Sequence, residues 1–465
     1  MCEQTWVDEE LGTADFGDVR LNRRCQLLAG ALGAQCQGSI PVACQSWAEI
    51  KAAYRFFANP KVTLERVLVP HQEATCMRIA QENVVIVAQD TTELDFSGTR
   101  VASHLGSLSY AARVGWLMHL SLALTPDRVC LGVVDARVWT RNSDDSQKKR
   151  HRKQTTITDK ESFRWIEGYQ HACAVARAAP TTQVVSVADR EGDIYELFVE
   201  AEGGTADWVV RACRDRSLPE KQPGPGAHYK KLWARVAEEE VRGEVAFELP
   251  ARGGRPARRV RQTARAAIIR LRPPQRNGVK LPPVTVHAVL LREEKPPKGF
   301  EPLEWLLLTS LPIDSWTAVQ FVIDCYLCRW QIECFFKILK SGCRIERLQL
   351  EMPGRILPCL GMYLIIAWRV IYLTMLGRVC PDVPCTIVFG DAEWKSVVAI
   401  ESRNYPPDTP PSLAEMVNCI ARQGSYVGRT GDGHPGMVSI WTGLQRVMDY
   451  ARAWEAFGPE SNTYG

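Results

Sequence analysis

The sequence is poor in several features that would fix its class directly. Its net charge is only +4 over 465 residues, too balanced to demand a polyanionic partner, so only local clusters of cations can argue for one. None of the eight histidines forms an H-E-x-x-H, and G-x-x-x-x-G-K-[ST] is absent. Zinc-protease and nucleotide-hydrolase chemistries therefore lack their essential parts. Met1-Cys2-Glu3-Gln4 opens without a basic stretch and an apolar core, so no secretory signal is read. The most apolar segment, Ile356 to Ala367, contains Pro358, is closed by Arg355 and Arg369, and reads as too short to span a bilayer. No membrane partner is expected. The sixteen cysteines have no regular spacing, which in an unexported chain indicates reduced thiols instead of a disulfide framework. Cys325 and Cys328 form a C-x-x-C without a second one, short of the four ligands a structural zinc needs.

What is present is a patterned helix. Tyr326, Arg329, Glu333 and Lys340 stand 3, 4 and 7 apart, and at 100° per residue they fall within about 60° of one another on one continuous helix. A carboxylate can hold a divalent metal while Arg and Lys on the same stripe grip phosphate oxygens, so this face suits metal-assisted phosphoryl chemistry on a nucleic acid. The same spacing also fits an ordinary solvated, salt-bridged face.

Two further carboxylates bear on that choice. Val84 to Ala88 is an apolar run ending in Gln89-Asp90-Thr91-Thr92, and Val184 to Ala188 ends in Asp189-Arg190-Glu191-Gly192-Asp193. Each reads as a short buried strand delivering an Asp at its carboxyl end, where open α/β sheets place their sites. Taken singly, such an Asp is commonly a turn former or helix cap. Asp193 is read as a cap or dipole partner.

Together, Gln89 to Thr92, Ala188 to Glu191 and Tyr326 to Lys340 resemble the three catalytic motifs of cut-and-paste bacterial insertion-sequence transposases, which carry an Asp-Asp-Glu triad and a Tyr-Arg-Glu-Lys signature. Ala52 to Phe57 and Trp305 to Ser310 extend the likeness over nearly the whole chain. The resemblance implies that Asp90, Asp189 and Glu333 bind two Mg2+ ions, with Mn2+ as a substitute, and that the site needs them because three clustered carboxylates repel. It implies strand cleavage through a hairpin intermediate and joining of 3′ ends to target DNA. Tyr326, Arg329 and Lys340 then grip phosphate near an extruded base, Trp305 stacks that base, and Arg211 contacts DNA. The implied partners are double-stranded DNA, as terminal inverted repeats and target, and a second copy of the chain in a synaptic homodimer. The implied place of action is the cytoplasm. A metal-dependent nuclease of the same fold, or a non-catalytic DNA-binding inhibitor of transposition, is the alternative.

The expected fold class is α/β: a ribonuclease-H-like core with a β-rich insertion, flanked by helical DNA-binding and dimerisation domains. Residues 1–70 read as helical, with Arg20, Arg23 and Arg24 opening one segment. A second helix starts at the capping pattern Ser46 and Glu49, with Trp47, Ile50, Tyr54 and Phe57 as its core stripe. The catalytic domain is expected over 71–378, where two strands, Met118 to Thr125 and Val129 to Val138, and a helix, Glu161 to Ala178, lead to the Asp189 strand. The 143 residues between Asp189 and Glu333 require an insertion, about 200–304, of strands broken by Gly and Pro. Within it, Ala251 to Lys280 carries nine arginines and one lysine with no acid and reads as a DNA-facing strip, while Lys148 to Lys153 is a dense basic loop. Residues 379–465 are expected to form the dimerisation domain. Met437, Ile440, Trp441, Leu444, Val447, Met448 and Ala451 make an apolar stripe there, suited to another helix or to the internal core.

Overall fold

The computed structural model describes residues 6–44, 46–110, 112–141, 156–221, 228–249, 256–275 and 279–459; the basic loop Lys148 to Lys153 lies outside them. Helices α1 (Trp6–Leu11), α2 (Val19–Ala34), α3 (Ile40–Ala43), α4 (Trp47–Phe57) and α5 (Leu64–Ile79) precede strands β1 (Val84–Asp95), β2 (Gly106–Ser107), β3 (Val114–Leu124) and β4 (Cys130–Trp139). Then come α6 (Arg164–Ala178), β5 (Gln183–Ala188), α7 (Tyr195–Ala201) and β6 (Asp207–Arg211). The β-rich insertion holds β7 (Ser217–Lys221), β8 (Tyr229–Lys231), α8 (Leu232–Ala237), β9 (Val241–Leu249), β10 (Arg258–Leu271), β11 (Val284–Arg292) and β12 (Glu304–Thr309). Six helices close the described chain: α9 (Trp316–Cys328), α10 (Trp330–Lys337), α11 (Pro353–Val379), α12 (Asp391–Ser402), α13 (Leu413–Gln423) and α14 (Met437–Phe457). The fold is thus α/β with a β-rich insertion between helical ends. Two compact units form, one from 1–79, 91–145 and 330–465, the other from 80–90 and 146–329.

In the second unit the strand order is β1-β5-β6-β12-β11-β10-β9. β1, β5 and β6 are parallel, and the remaining neighbours are antiparallel. Val85 to Ala88 and Val184 to Ala188 are buried throughout, which is why both read as near-continuous apolar runs. Helix α6 packs tightly at Gly168, where a Cβ would lie 2.1 Å from Gln89 Oε1. The insertion is curled. In a flat sheet β9 would stand about 14 Å from β12, yet the Phe247 and Trp305 ring centroids are 5.2 Å apart. Gly243 permits the curl, since a Cβ there would come within 2.6 Å of the Trp316 indole.

Part of the arginine strip is ion-paired. Arg258, Arg261 and Arg265 pair with Glu293, Glu244 and Glu294. Three arginines of β10 thus have their charge offset by Glu244 of β9 and by Glu293 and Glu294, which follow β11, a compensation that sequence proximity does not reveal.

In the first unit, β2 and β4 flank β3, and the N- and C-terminal helices pack with them. The α4 stripe is rotated from expectation. Ala53, Phe56 and Phe57 are buried, whereas Trp47 is 69% exposed with Lys51 Nζ 5.1 Å from its ring centroid. Trp47 follows the Ser46 cap at the end of the helix, and Lys51 covers its ring one turn later. Helix α11 is also longer than the apolar run suggested. At 27 residues, with Pro358 inside it, it is long and apolar enough to cross a membrane by length and composition alone, but its apolar window is 89% buried. The α14 residues Ile440, Trp441, Leu444, Val447 and Ala451 are buried, and the helix packs on α12 and α13, so that stripe serves the internal core.

A buried polar knot ties this unit together. Glu10 of α1 meets His71 Nδ1 at 2.5 Å and Arg78 Nη1 at 2.6 Å, both from α5. His71 Nε2 accepts the Val133 N–H at 3.0 Å, while Arg78 donates to Leu131 O at 2.7 Å and covers the Trp368 ring. Burial pushes the Glu10 pKa up, but the bonds from His71 and Arg78 outweigh it and the carboxyl titrates below its usual range. Burial also lowers the His71 pKa, so the folded state holds a neutral imidazole donating to Glu10. A histidine whose folded pKa lies below its unfolded value of about 6.5 contributes stability fully above that pH and loses it as pH falls toward the folded value. The melting temperature is therefore expected to drop between pH 7.5 and 5.5, with a smaller drop in a His71→Gln variant. Circular-dichroism melts at the two pH values check this, and equal drops would count against it.

Candidate active site and nucleic-acid interface

Residues Val84 to Ala88 of β1 pair in parallel with Gln183 to Val187 of β5. Continuing that register by two residues would bring Asp90 of β1 level with Asp189, the residue that follows β5, and neighbouring strands lie about 4.8 Å apart. Side chains alternate along a strand, so both lie opposite the face where Gln89 Nε2 donates to Ser186 Oγ at 2.7 Å. Asp189 is extended and caps the turn after it, with Oδ1 accepting Glu191 N–H at 2.8 Å. The cap expected of a lone strand-end Asp is thus real, and it engages Oδ1. Glu191 itself pairs with Arg164.

Asp90 Oδ2 receives Arg329 Nη1 at 2.8 Å, and the guanidinium offsets the repulsion between neighbouring carboxylates. Among the described residues, no three Asp, Glu, His or Cys side chains gather into a group that could hold an ion unaided. Asp90 and Asp189 nevertheless offer the donors a hard divalent cation prefers. Mg2+ is commonly held by one or two carboxylates, with water and phosphate oxygens completing its shell.

Beside this pair stands an aromatic and cationic cluster. Leu307 of β12 is opposite Arg211 of β6, and Trp305 shares a face with Leu307, which brings Arg211 to 5.7 Å from the Trp305 ring centroid. Trp305 stacks on Phe247 at an interplanar angle of 18° and meets Tyr326 edge-on at 5.5 Å. Arg329 lies 5.9 Å from the Tyr326 ring. Burial lowers the Arg211 pKa, and Arg190 and Arg329 press it in the same direction. Three guanidiniums thus crowd one region, as an anion site requires.

Tyr326 and Arg329 belong to the second unit; Glu333 and Lys340 belong to the first. They do not form one uninterrupted helical face. α9 ends at Cys328, Arg329 is its cap, and Glu333 stands in the first turn of α10. Lys340 lies in a π-helical turn, Ile338–Gly342, closed by Cys343 N–H donating to Ile338 O at 2.8 Å. Each π turn takes in an extra residue and rotates the next part of the chain off the 3.6-residue period, which an angular projection from sequence omits. Lys340 Nζ is 3.9 Å from Glu346. Burial lowers its pKa, while Glu346, Glu93 and Asp95 raise it.

Asp193 is structural, but not as a helix cap. Its Oδ2 accepts Cys213 and Arg214 N–H, and it pairs with buried Arg216. Two residues near the site escaped the sequence reading, Phe247 and Arg190, as did Glu346 beside Lys340 in the first unit. Phe247 has a usable signal, since Gly243, Val245, Phe247 and Leu249 alternate with exposed positions along β9. The other two meet their partners only through tertiary structure.

Residues 3–62 match the family described as Transposase DNA-binding, residues 129–357 the Transposase DDE domain, and residues 365–457 the Transposase Tn5 dimerisation domain. A stretch of 48 residues is 54% identical to the InsL protein of insertion sequence element IS186A of Escherichia coli (strain K12) and, equally, to the transposase for insertion sequence element IS421 of Escherichia coli. The stretch covers 10% of this chain and 13% of each relative. The piggyBac transposase synaptic complex with hairpin DNA, solved by cryo-EM, aligns over 77% of this chain and 66% of its own at 10% identity, with a TM-score of 0.36; so distant a likeness carries no argument about the site.

Trp305 is only 9% exposed and holds Phe247 and Tyr326 in place. Trp305→Ala is expected to cost about 3–5 kcal/mol of stability, the range for emptying a buried aromatic site, and Trp305→Phe clearly less. Urea denaturation of the two variants reads the difference.

Proposed function

We propose that this chain, which belongs to the DDE transposase family of bacterial insertion sequences, binds terminal inverted repeats, excises its element by metal-dependent strand cleavage through a hairpin, and joins the 3′ ends to target DNA. The observation that supports the reading is the parallel register of β1 and β5, whose continuation would bring Asp90 level with Asp189, together with a cluster of guanidiniums and aromatic rings that reaches Asp90 through Arg329. That combination suits a phosphodiester held beside a hard cation.

Asp90, Asp189 and Glu333 would hold two Mg2+ ions, with Mn2+ as a substitute; when bound, the ions make a water or 3′-hydroxyl nucleophilic at neutral pH and stabilise the departing oxygen. Arg329 already touches Asp90, so it can orient that carboxylate and bring a positive charge to a phosphate oxygen beside it. Tyr326, through its hydroxyl, and Lys340, through its ammonium, serve as further phosphate donors. Trp305, now stacked on Phe247 and 9% exposed, would receive an extruded base once its present neighbours give way, and Arg211 would hold the backbone beside it.

In this reading residues 1–70 bind the element ends, 71–378 carry the chemistry with an insertion at about 200–304, and 379–465 pair two copies in the synaptic complex. The protein acts on DNA in the bacterial cell interior.

Asp90→Asn, Asp189→Asn and Glu333→Gln should each retain binding to end DNA in gel shifts. Each should lose strand joining with Mg2+ by more than about 100-fold, beyond the 10- to 100-fold typical of groups that merely support metal ligands. Cleavage without joining by the wild type would favour the nuclease, and binding without cleavage the inhibitor. Undiminished joining by Glu333→Gln would remove that residue from the site.

A further inference from the structure

Lys340 is confined by side chains from three segments, all within the first unit. Glu93 and Asp95 come from the carboxyl end of β1, Arg113 from the approach to β3, and Glu346 from the 3-10 turn Ile345–Arg347. The three acids are not equivalent. Asp95 is engaged by Ser97 Oγ at 2.6 Å and Arg113 Nε at 2.8 Å, and Glu93 by Ser109 N–H at 2.7 Å with Arg113 at 3.7 Å. Among the described residues, Glu346 pairs with Lys340 and with no other cation.

Glu346 is also held in place. Arg344 adopts the left-handed region at φ 50°, which turns the chain sharply out of the π turn, and Ile345 is fully buried. The Glu346 carboxylate accepts the Asp95 N–H at 2.9 Å. Its oxygen is 3.9 Å from Lys340 Nζ, and both side chains are a little under one-third exposed. A carboxylate at that separation stabilises the charged ammonium without consuming its N–H donors in a tight contact.

We infer that Glu346 is a positioning residue for Lys340, anchored to the β1 backbone so that the ammonium stays charged and aimed while its protons remain available to a phosphate oxygen. This rests on the reading of Lys340 as a phosphate-gripping cation. Glu346→Gln keeps an oxygen for the Asp95 N–H and removes only the charge.

The experiment is strand joining by the full-length protein with Mg2+ across pH 7–10. In Glu346→Gln the alkaline fall should move to lower pH, by up to about one unit, which is about a tenfold change in the ratio of charged to neutral lysine. Glu346→Asp should leave the limb in place, and it supplies the test should the amide variant fail to fold. In a Lys340→Arg background the amide substitution should leave the pH profile unchanged, because a guanidinium does not titrate there. A Glu346→Gln profile superimposable on wild type, with Lys340→Ala impaired, would overturn the inference alone. An unimpaired Lys340→Ala would overturn the phosphate reading of Lys340, and the inference with it.

Discussion

The arrangement depends on the parallel register between β1 and β5. Slipping one strand by a single residue would turn its aspartate to the opposite face. The register is pinned from behind, by the Gln89 to Ser186 hydrogen bond and by the close approach of α6 at Gly168. A residue at position 168 with any side chain would strike the Gln89 amide. Gln89, the motif position beside Asp90, thus does mechanical duty on the hidden face of the sheet, and the carboxylates inherit their placement from it.

The second constraint is electrostatic. Neighbouring carboxylates repel, and nearby guanidiniums repel one another, so neither group is comfortable alone. The Arg329 contact to Asp90 joins the two sets. Arg329 sits where α9 ends and α10 begins, so its backbone is governed by a helix interruption as much as by the ion pair. The aromatic rings do related work for Arg211. Trp305 and Tyr326 present electron-rich faces and a hydroxyl to a cation that burial would otherwise penalise.

Legibility followed the range of the forces involved. The Ser46 cap, the buried β1 and β5 cores and α14 are local or periodic features, and the sequence pattern located them within a few residues. Asp189 directly follows β5 as read, whereas β1 runs on to Asp95 and leaves Asp90 inside the strand instead of at its end. Trp47 was misassigned because periodicity names a face but not which end of the helix meets a neighbour. The π turn at Lys340 broke the angular projection because its extra residue leaves no mark in composition. The ion pairs of the arginine strip were illegible for a different reason: Glu244, Glu293 and Glu294 reach Arg261, Arg258 and Arg265 from segments distant in sequence. The length of α11 was underestimated because Arg355 and Arg369 were read as closing the apolar run, whereas both lie inside the helix, as does Pro358.

The knot of Glu10, His71 and Arg78 bears on how such a chain can be taken apart. It fastens the first helix to the fifth and, through Val133 and Leu131, to a strand deep in the middle of the polypeptide. Severing the chain near residue 70 would cut α5 and strand Glu10 in an apolar setting without either counterpart. The amino-terminal stretch is therefore no detachable cassette. Exchanging it for that of a relative would have to carry α5 and its β4 contacts along.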